Sequence, residues 1–178
     1  AKELQVPIFF AQQYRSDEIH GAMMRMQLRK LDGIIDDLRK NARALEKAVT
    51  VDGKLTVAPN NDLDGDCGVV AAFSFDSEEK ARAFASAEGV GGGLPIDSGK
   101  HVHTNWDALN DKSVMHHPAM NPFNFEQNKG LRMQYGESVC TKTLDQLKKV
   151  VYVGISPDWT EKDLADKIEA CKKAAQSL

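Results

Sequence analysis

From Ser16 to Val49 apolar residues recur at three- and four-residue steps: Ile19, Met23 and Met26, then Leu31, Ile34, Ile35, Leu38, Ala42, Leu45 and Val49. A helix turns positions spaced this way onto one side, so the stretch predicts a long amphipathic helix, or two helices joined by a bend near Gly33. Arg29, Lys30, Asp36, Asp37, Arg39, Lys40 and Lys47 fill the other positions and read as a solvated face. A helix of this length must lay its apolar stripe on something, and the rest of the chain has to supply it.

After Asp52-Gly53, the Asn- and Asp-rich run from Pro59 to Gly65 marks a turn and places a boundary near Pro59. Residues 1–58 thus form an N-terminal arm and long helix, and 59–178 a small α/β domain. Cys67 to Phe75 reads as a buried strand. Ser77 caps a helix that Gly89 stops, and His101 to Trp106 reads as a short strand. Met115 to Gly136 lacks a period and reads as loop. A helix over Thr143–Lys149, a strand over Val150–Ile155 and a helix over Thr160–Ala175 close the chain. The last helix opens on a Thr160-x-x-Asp163 capping box and carries Leu164, Ile168, Cys171 and Ala175 as its stripe. Few strands separated by helices predict an α+β fold: a long N-terminal helix or bent pair, with a small, mainly antiparallel sheet covered by helices.

The chain has 178 residues and 42% hydrophobic content, enough to bury a core without a metal or disulfide. Lys+Arg number 23 against Asp+Glu 26, a net charge of −3 with the basic residues dispersed, which argues against a nucleic-acid surface. No apolar run reaches the roughly 20 residues of a membrane helix, and the first residues lack the basic segment and long apolar stretch expected of a signal peptide. Cys67, Cys140 and Cys171 form no C-x-x-C pair, and the expectation is three reduced core thiols in a cytoplasmic protein. The opening Ala-Lys-Glu, without Met, reads as a trimmed chain or a piece of a longer protein.

Several motifs invite chemistry. Gly89-Val90-Gly91-Gly92-Gly93 and Ser98-Gly99-Lys100 suggest a phosphate loop, but Leu94 and His101 stand where a Walker motif needs Gly and Ser or Thr. His101-Val102-His103 would put two imidazoles on one face of a strand. Asp107 is the nearby carboxylate, and no H-E-x-x-H completes a metal set. His101, His103 and Asn105 beside Trp106 suit recognition of a sugar or carboxylate, against the plainer reading of imidazoles satisfied within a loop-rich surface. No G-x-S-x-G occurs, and no histidine neighbours a cysteine in sequence.

Gln13-Tyr14-Arg15-Ser16-Asp17-Glu18-Ile19-His20-Gly21-Ala22, followed by Gln27-Leu28-Arg29-Lys30-Leu31-Asp32, resembles the N-Y-R-x-x-E-L-x-A-A then Q-L-x-K-L-D stretch of the DegT/StrS sugar aminotransferases. The resemblance continues at Gly99 to Asp107, at His117-Pro118-Ala119-Met120-Asn121-Pro122-Phe123, and from Cys140 to Thr160. There it is similar to the branch that aminates an eight-carbon 3-deoxy-octulosonate sugar acid. It spans essentially the whole chain but corresponds only to the C-terminal part of such an enzyme.

The resemblance implies the small C-terminal domain of a fold-type I pyridoxal-phosphate aminotransferase. The large domain with the Schiff-base lysine would be absent, and no lysine here stands in an S-x-x-K-x-x-x-x-G-E-G-G context. It implies no catalytic residue in this chain. Gln13 and Arg15 would lie near the cofactor phosphate or a substrate anion, with Gln13 replacing the family's Asn and an intrahelical or interdomain ion pair as the alternative for Arg15, and Tyr14, His101, His103 and Asn105 would lie at the substrate. Pyridoxal phosphate would belong to the intact enzyme and not be held by this chain alone. Its partners would be the missing large domain or further copies of the chain, with a keto sugar and an amino donor as substrates. The apolar run Val6-Pro7-Ile8-Phe9-Phe10 is expected to contribute to association. The alternative is a stand-alone, non-catalytic module for sugar binding or dimerisation.

Overall fold

The computed structural model describes residues 15–50, 53–98, 102–114, 117–131 and 134–178. The described residues fall into two compact units, one within 16–97 and 145–178, the other of residue 15 and those within 98–144. The architecture is α+β. Among the described residues the helices are α1 (Glu18–Leu28), α2 (Leu31–Val49), α3 (Glu78–Ser86), α4 (Asp107–Asn110), α5 (Thr141–Lys148) and α6 (Glu161–Gln176). The strands are β1 (Thr56–Val57), β2 (Val70–Ser74), β3 (Gly92–Gly93) and β4 (Val150–Gly154).

In the larger unit the strands form one antiparallel sheet in the order β1-β2-β4-β3. Its centre is the β2–β4 ladder, which runs from Val70 opposite Gly154 to Ser74 opposite Val150. Strand side chains alternate between faces, so Ala71, Phe73, Val151 and Val153 share the buried face. Leu45 and Val49 of α2, Ala81 and Phe84 of α3, and Cys171, Ala174 and Ala175 of α6 complete the same core. Phe84 packs edge-on to Phe73 at 5.8 Å between ring centroids and lies 5.2 Å from Phe75.

The long amphipathic segment is two helices, interrupted at Arg29–Lys30, a little before Gly33. The Lys30 N–H turns back to the Gln27 carbonyl at 2.9 Å and closes the first helix. α2 packs its stripe against α6 and β2. Its buried positions include Asn41, whose Nδ2 donates to the Ser156 carbonyl at 3.0 Å. The capping signals form as their sequences predict. Ser77 Oγ accepts from the Lys80 N–H, and Thr160 and Asp163 exchange both bonds of the capping box.

β2 starts at Val70, later than Cys67, because Asp66 to Gly68 forms a turn in which Asp66 Oδ1 accepts the Gly68 N–H at 3.1 Å. Gly68 sits at φ +70°, and a Cβ there would come within 2.9 Å of the Arg39 backbone nitrogen. Glycine is what lets the turn lie against α2.

In the smaller unit the strand expected over His101–Trp106 is not formed by its described residues. His103–Asn105 is one 3-10 turn and α4 follows at once. Buried Val102 and Ala108 anchor it, and Asn110 Nδ2 donates to the carbonyls of His103 and Thr104 at 3.3 and 2.9 Å. A side chain that bonds two successive carbonyls takes them away from any strand neighbour. The expected loop contains three further 3-10 turns, Pro118–Met120, Pro122–Asn124 and Glu126–Asn128. Two begin on proline, whose fixed φ suits a first helical position.

Cys171 is buried, whereas Cys67 and Cys140 are exposed, which corrects the expectation of three core thiols. Burial pushes the Cys171 thiol up to about 11, against a smaller opposing pull from Lys167, so it packs as a neutral apolar group. No helix among the described residues is long and apolar enough to cross a membrane.

Candidate functional site

Of the six residues singled out in the sequence, Gln13, Tyr14 and His101 lie outside the described residues, as does the run Val6 to Phe10. Arg15 is exposed just ahead of α1. Its guanidinium makes no hydrogen bond or ion pair among the described residues. His103 sits in the 3-10 turn, with its ring Nε2 3.3 Å from the Gly136 carbonyl. Asn105 is exposed two residues on. Among the described residues no hydrogen bond joins Arg15 to His103 or Asn105. The pairing of imidazoles along a strand fails for His103, because a helical turn does not project alternate residues to one side.

Asparagines scaffold this region. Asn121 Nδ2 donates to the Lys112 carbonyl at 3.0 Å, and its Oδ1 accepts from the Phe123 N–H at 3.0 Å. Asn128 Nδ2 donates to the Pro122 carbonyl at 2.7 Å. The His117 ring accepts from the Ala119 N–H at 3.1 Å. Both described histidines of the unit thus face main-chain partners, as expected of imidazoles that hold a loop-rich surface together. Among the described residues no group of three His, Cys, Asp or Glu side chains gathers as a metal site.

The larger unit also has a polar cluster, between α2 and the Asn- and Asp-rich turn, that was not among the candidate residues. Arg43 Nη1 donates to Glu46 Oε2 at 2.7 Å, and Nη2 donates to Asp66 Oδ2 at 3.0 Å and to the Leu63 carbonyl at 3.2 Å. Asn60 Nδ2 reaches the same Asp66 oxygen at 3.1 Å. Arg39 Nε donates to the Asp66 carbonyl at 2.7 Å, so Arg39 is a structural fastener, half-buried instead of solvated. The Asp66 carboxyl is held below its ordinary range, first by the Gly68 N–H and then by Arg43 and Asn60. The Arg43 guanidinium is raised, chiefly by its bond to Glu46.

This cluster walls a groove of about 430 Å³ over the sheet face opposite the core, where Val70, Ala72, Val150 and Tyr152 form the floor. Ser74, Gln146 and Tyr152 bring uncharged polar groups to it, and their side chains make no hydrogen bond among the described residues. With Arg43 already engaged by two carboxylates, the groove suits uncharged groups better than anions. The Arg43–Glu46 spacing was the one signal in sequence, since i,i+3 partners share a helix face. A second groove, of about 360 Å³, runs between the end of α3 and α6, beside Ala87, Ala170 and Ala174.

No protein-family model matches this chain.

Proposed function

We propose that the chain is the C-terminal portion of a pyridoxal-phosphate-dependent aminotransferase that acts on a keto sugar or sugar acid. The observation that carries this reading is the run from Gln13 to Asp32, with its continuation at Gly99 to Asp107. An α+β unit built on a small antiparallel sheet is compatible with the small C-terminal domain of such an enzyme. When bound, pyridoxal phosphate supplies the electron sink and the carrier of the amino group. The residues present fit one part of it, the phosphate. Arg15 keeps a planar fork of donors unengaged by any described residue, and Gln13 offers an amide. His103 and Asn105, with Tyr14 and His101, would orient the keto substrate.

The chain is proposed to be inactive alone, because no lysine stands in the context of the Schiff-base lysine. Incubation with pyridoxal phosphate followed by borohydride reduction is expected to label no single lysine stoichiometrically. One saturable lysine adduct accompanied by transamination would overturn the reading. In enzyme reconstituted with a large domain, Arg15→Lys keeps the charge but loses the fork, and affinity for the anion should fall by about 1–3 kcal/mol. Unchanged affinity would remove Arg15 from the site. The competing reading, a non-catalytic association module, draws on the uncovered apolar residues of α1. A cofactor absorbance band in the reconstituted protein separates the two.

A further inference from the structure

Ile19, Met23 and Met26 follow one another along one side of α1 and are 74%, 61% and 50% exposed. Helices shorter than roughly 12–15 residues are marginal in water and are stabilised mainly by covering an apolar side. α1 has 11 residues and buries none of them.

Charge is sorted along the same helix. Asp17 and Glu18 stand at its start, and Arg25, Arg29 and Lys30 at its end. Glu18 and Arg29 lie about three helical turns apart, so they flank the same edge of the stripe. His20 and Gln27, about two turns apart, flank the other edge. Both pairs have one midpoint, between Met23 and Met24. A second α1 laid antiparallel across that midpoint sets each Glu18 beside the other copy's Arg29, each His20 beside Gln27, and Met23 at the centre. Like edges meet in such a pair, so each contact is made twice, and the two macrodipoles oppose each other favourably.

We propose that the Ile19, Met23 and Met26 side of α1 is a self-complementary docking surface on which a second copy of this chain pairs antiparallel. This assignment is independent of the aminotransferase reading. A helix pair of this length covers less than the roughly 1,000 Å² of a stable dimer, so the pairing is weak and concentration-dependent.

Sedimentation equilibrium of the full chain, up to millimolar concentration, tests it. Glu18→Arg and Arg29→Glu each bring like charges together at two symmetry-related places, and each should weaken pairing about tenfold. An equimolar mixture of the two variants restores attraction at both places and should pair within about threefold of the original chain. Met23→Glu should abolish pairing. Gly21→Ala, which lies off the stripe, is carried in all variants to keep α1 helical. Because α1 contributes no buried residue, low-concentration melting should be alike in all of them. A monomer at every concentration, reversals without effect, or a mixture no tighter than either variant alone would each overturn the proposal.

Discussion

α1 and α2 are consecutive parts of one amphipathic pattern, yet α1 buries nothing and α2 buries Leu38, Asn41, Ala42, Leu45, Glu46 and Val49. The difference lies in what the chain returns to each of them. β2 and α6, distant in sequence, come back onto α2, while no described element covers the α1 stripe. Periodicity thus announces that a helix face will be covered, and only the tertiary structure shows whether this chain itself covers it.

The comparison is broken most directly by truncating one apolar residue in each helix. Leu45 is fully buried, so Leu45→Ala should cost about 2–5 kcal/mol in a urea titration, by lost transfer energy and an unfilled cavity. Ile19→Ala, measured at a concentration too low for pairing, should stay within about 0.5 kcal/mol. Equal costs would mean that α1 is packed within the monomer after all.

A second, smaller effect concerns the turn that leans on α2. Gly68→Ala would force a side chain into a positive-φ position and toward the Arg39 backbone, and should cost on the order of 1–3 kcal/mol. A substitution without effect would show that the turn can move away from α2.

Acid separates the two helices again. Asp66 has its folded pKa lowered, by the Gly68 N–H first, so it contributes stability that is present above the unfolded carboxyl value of about 3.9 and lost as pH falls through the folded one. Asp66→Asn should flatten that acid limb of global unfolding. Asp17 is also lowered, chiefly by the His20 N–H it caps, but it fastens only α1. Its protonation should reduce helical signal with the unfolding midpoint unmoved.

The smallest effect is expected from Gly21→Ala. A Cβ there meets nothing within 4 Å, so the substitution should raise the helix content of α1, worth up to about 1 kcal/mol locally. Circular dichroism would register it, and the global midpoint would not change.

Much of the larger unit was legible because its signals are local. The α2 stripe, the Ser77 and Thr160 caps, and the β-branched run of β4 each act within a few residues of themselves. The smaller unit was read less well. Its 3-10 turns depend on Asn110, Asn121 and Asn128 reaching carbonyls six to nine residues away, a pattern without a period. For the candidate site, the sequence named Arg15, His103 and Asn105, and the structure joins none of them by a hydrogen bond. It missed the Arg43–Asp66 bond because the partners are 23 residues apart and meet only when the Asp66 turn closes on α2.

By itself the sequence determined the α+β class, the place of the long helical segment, and the Ser77 and Thr160 caps, all of which follow from residue type and spacing along one chain. Only the tertiary structure decided that the helical segment breaks at Arg29–Lys30, that α2 is covered while α1 is left open, and that one face of the sheet carries a groove walled by Arg43 and Asp66. The physical reason is that burial and ion pairing depend on distances between segments remote in sequence, and spacing along the chain does not encode those distances.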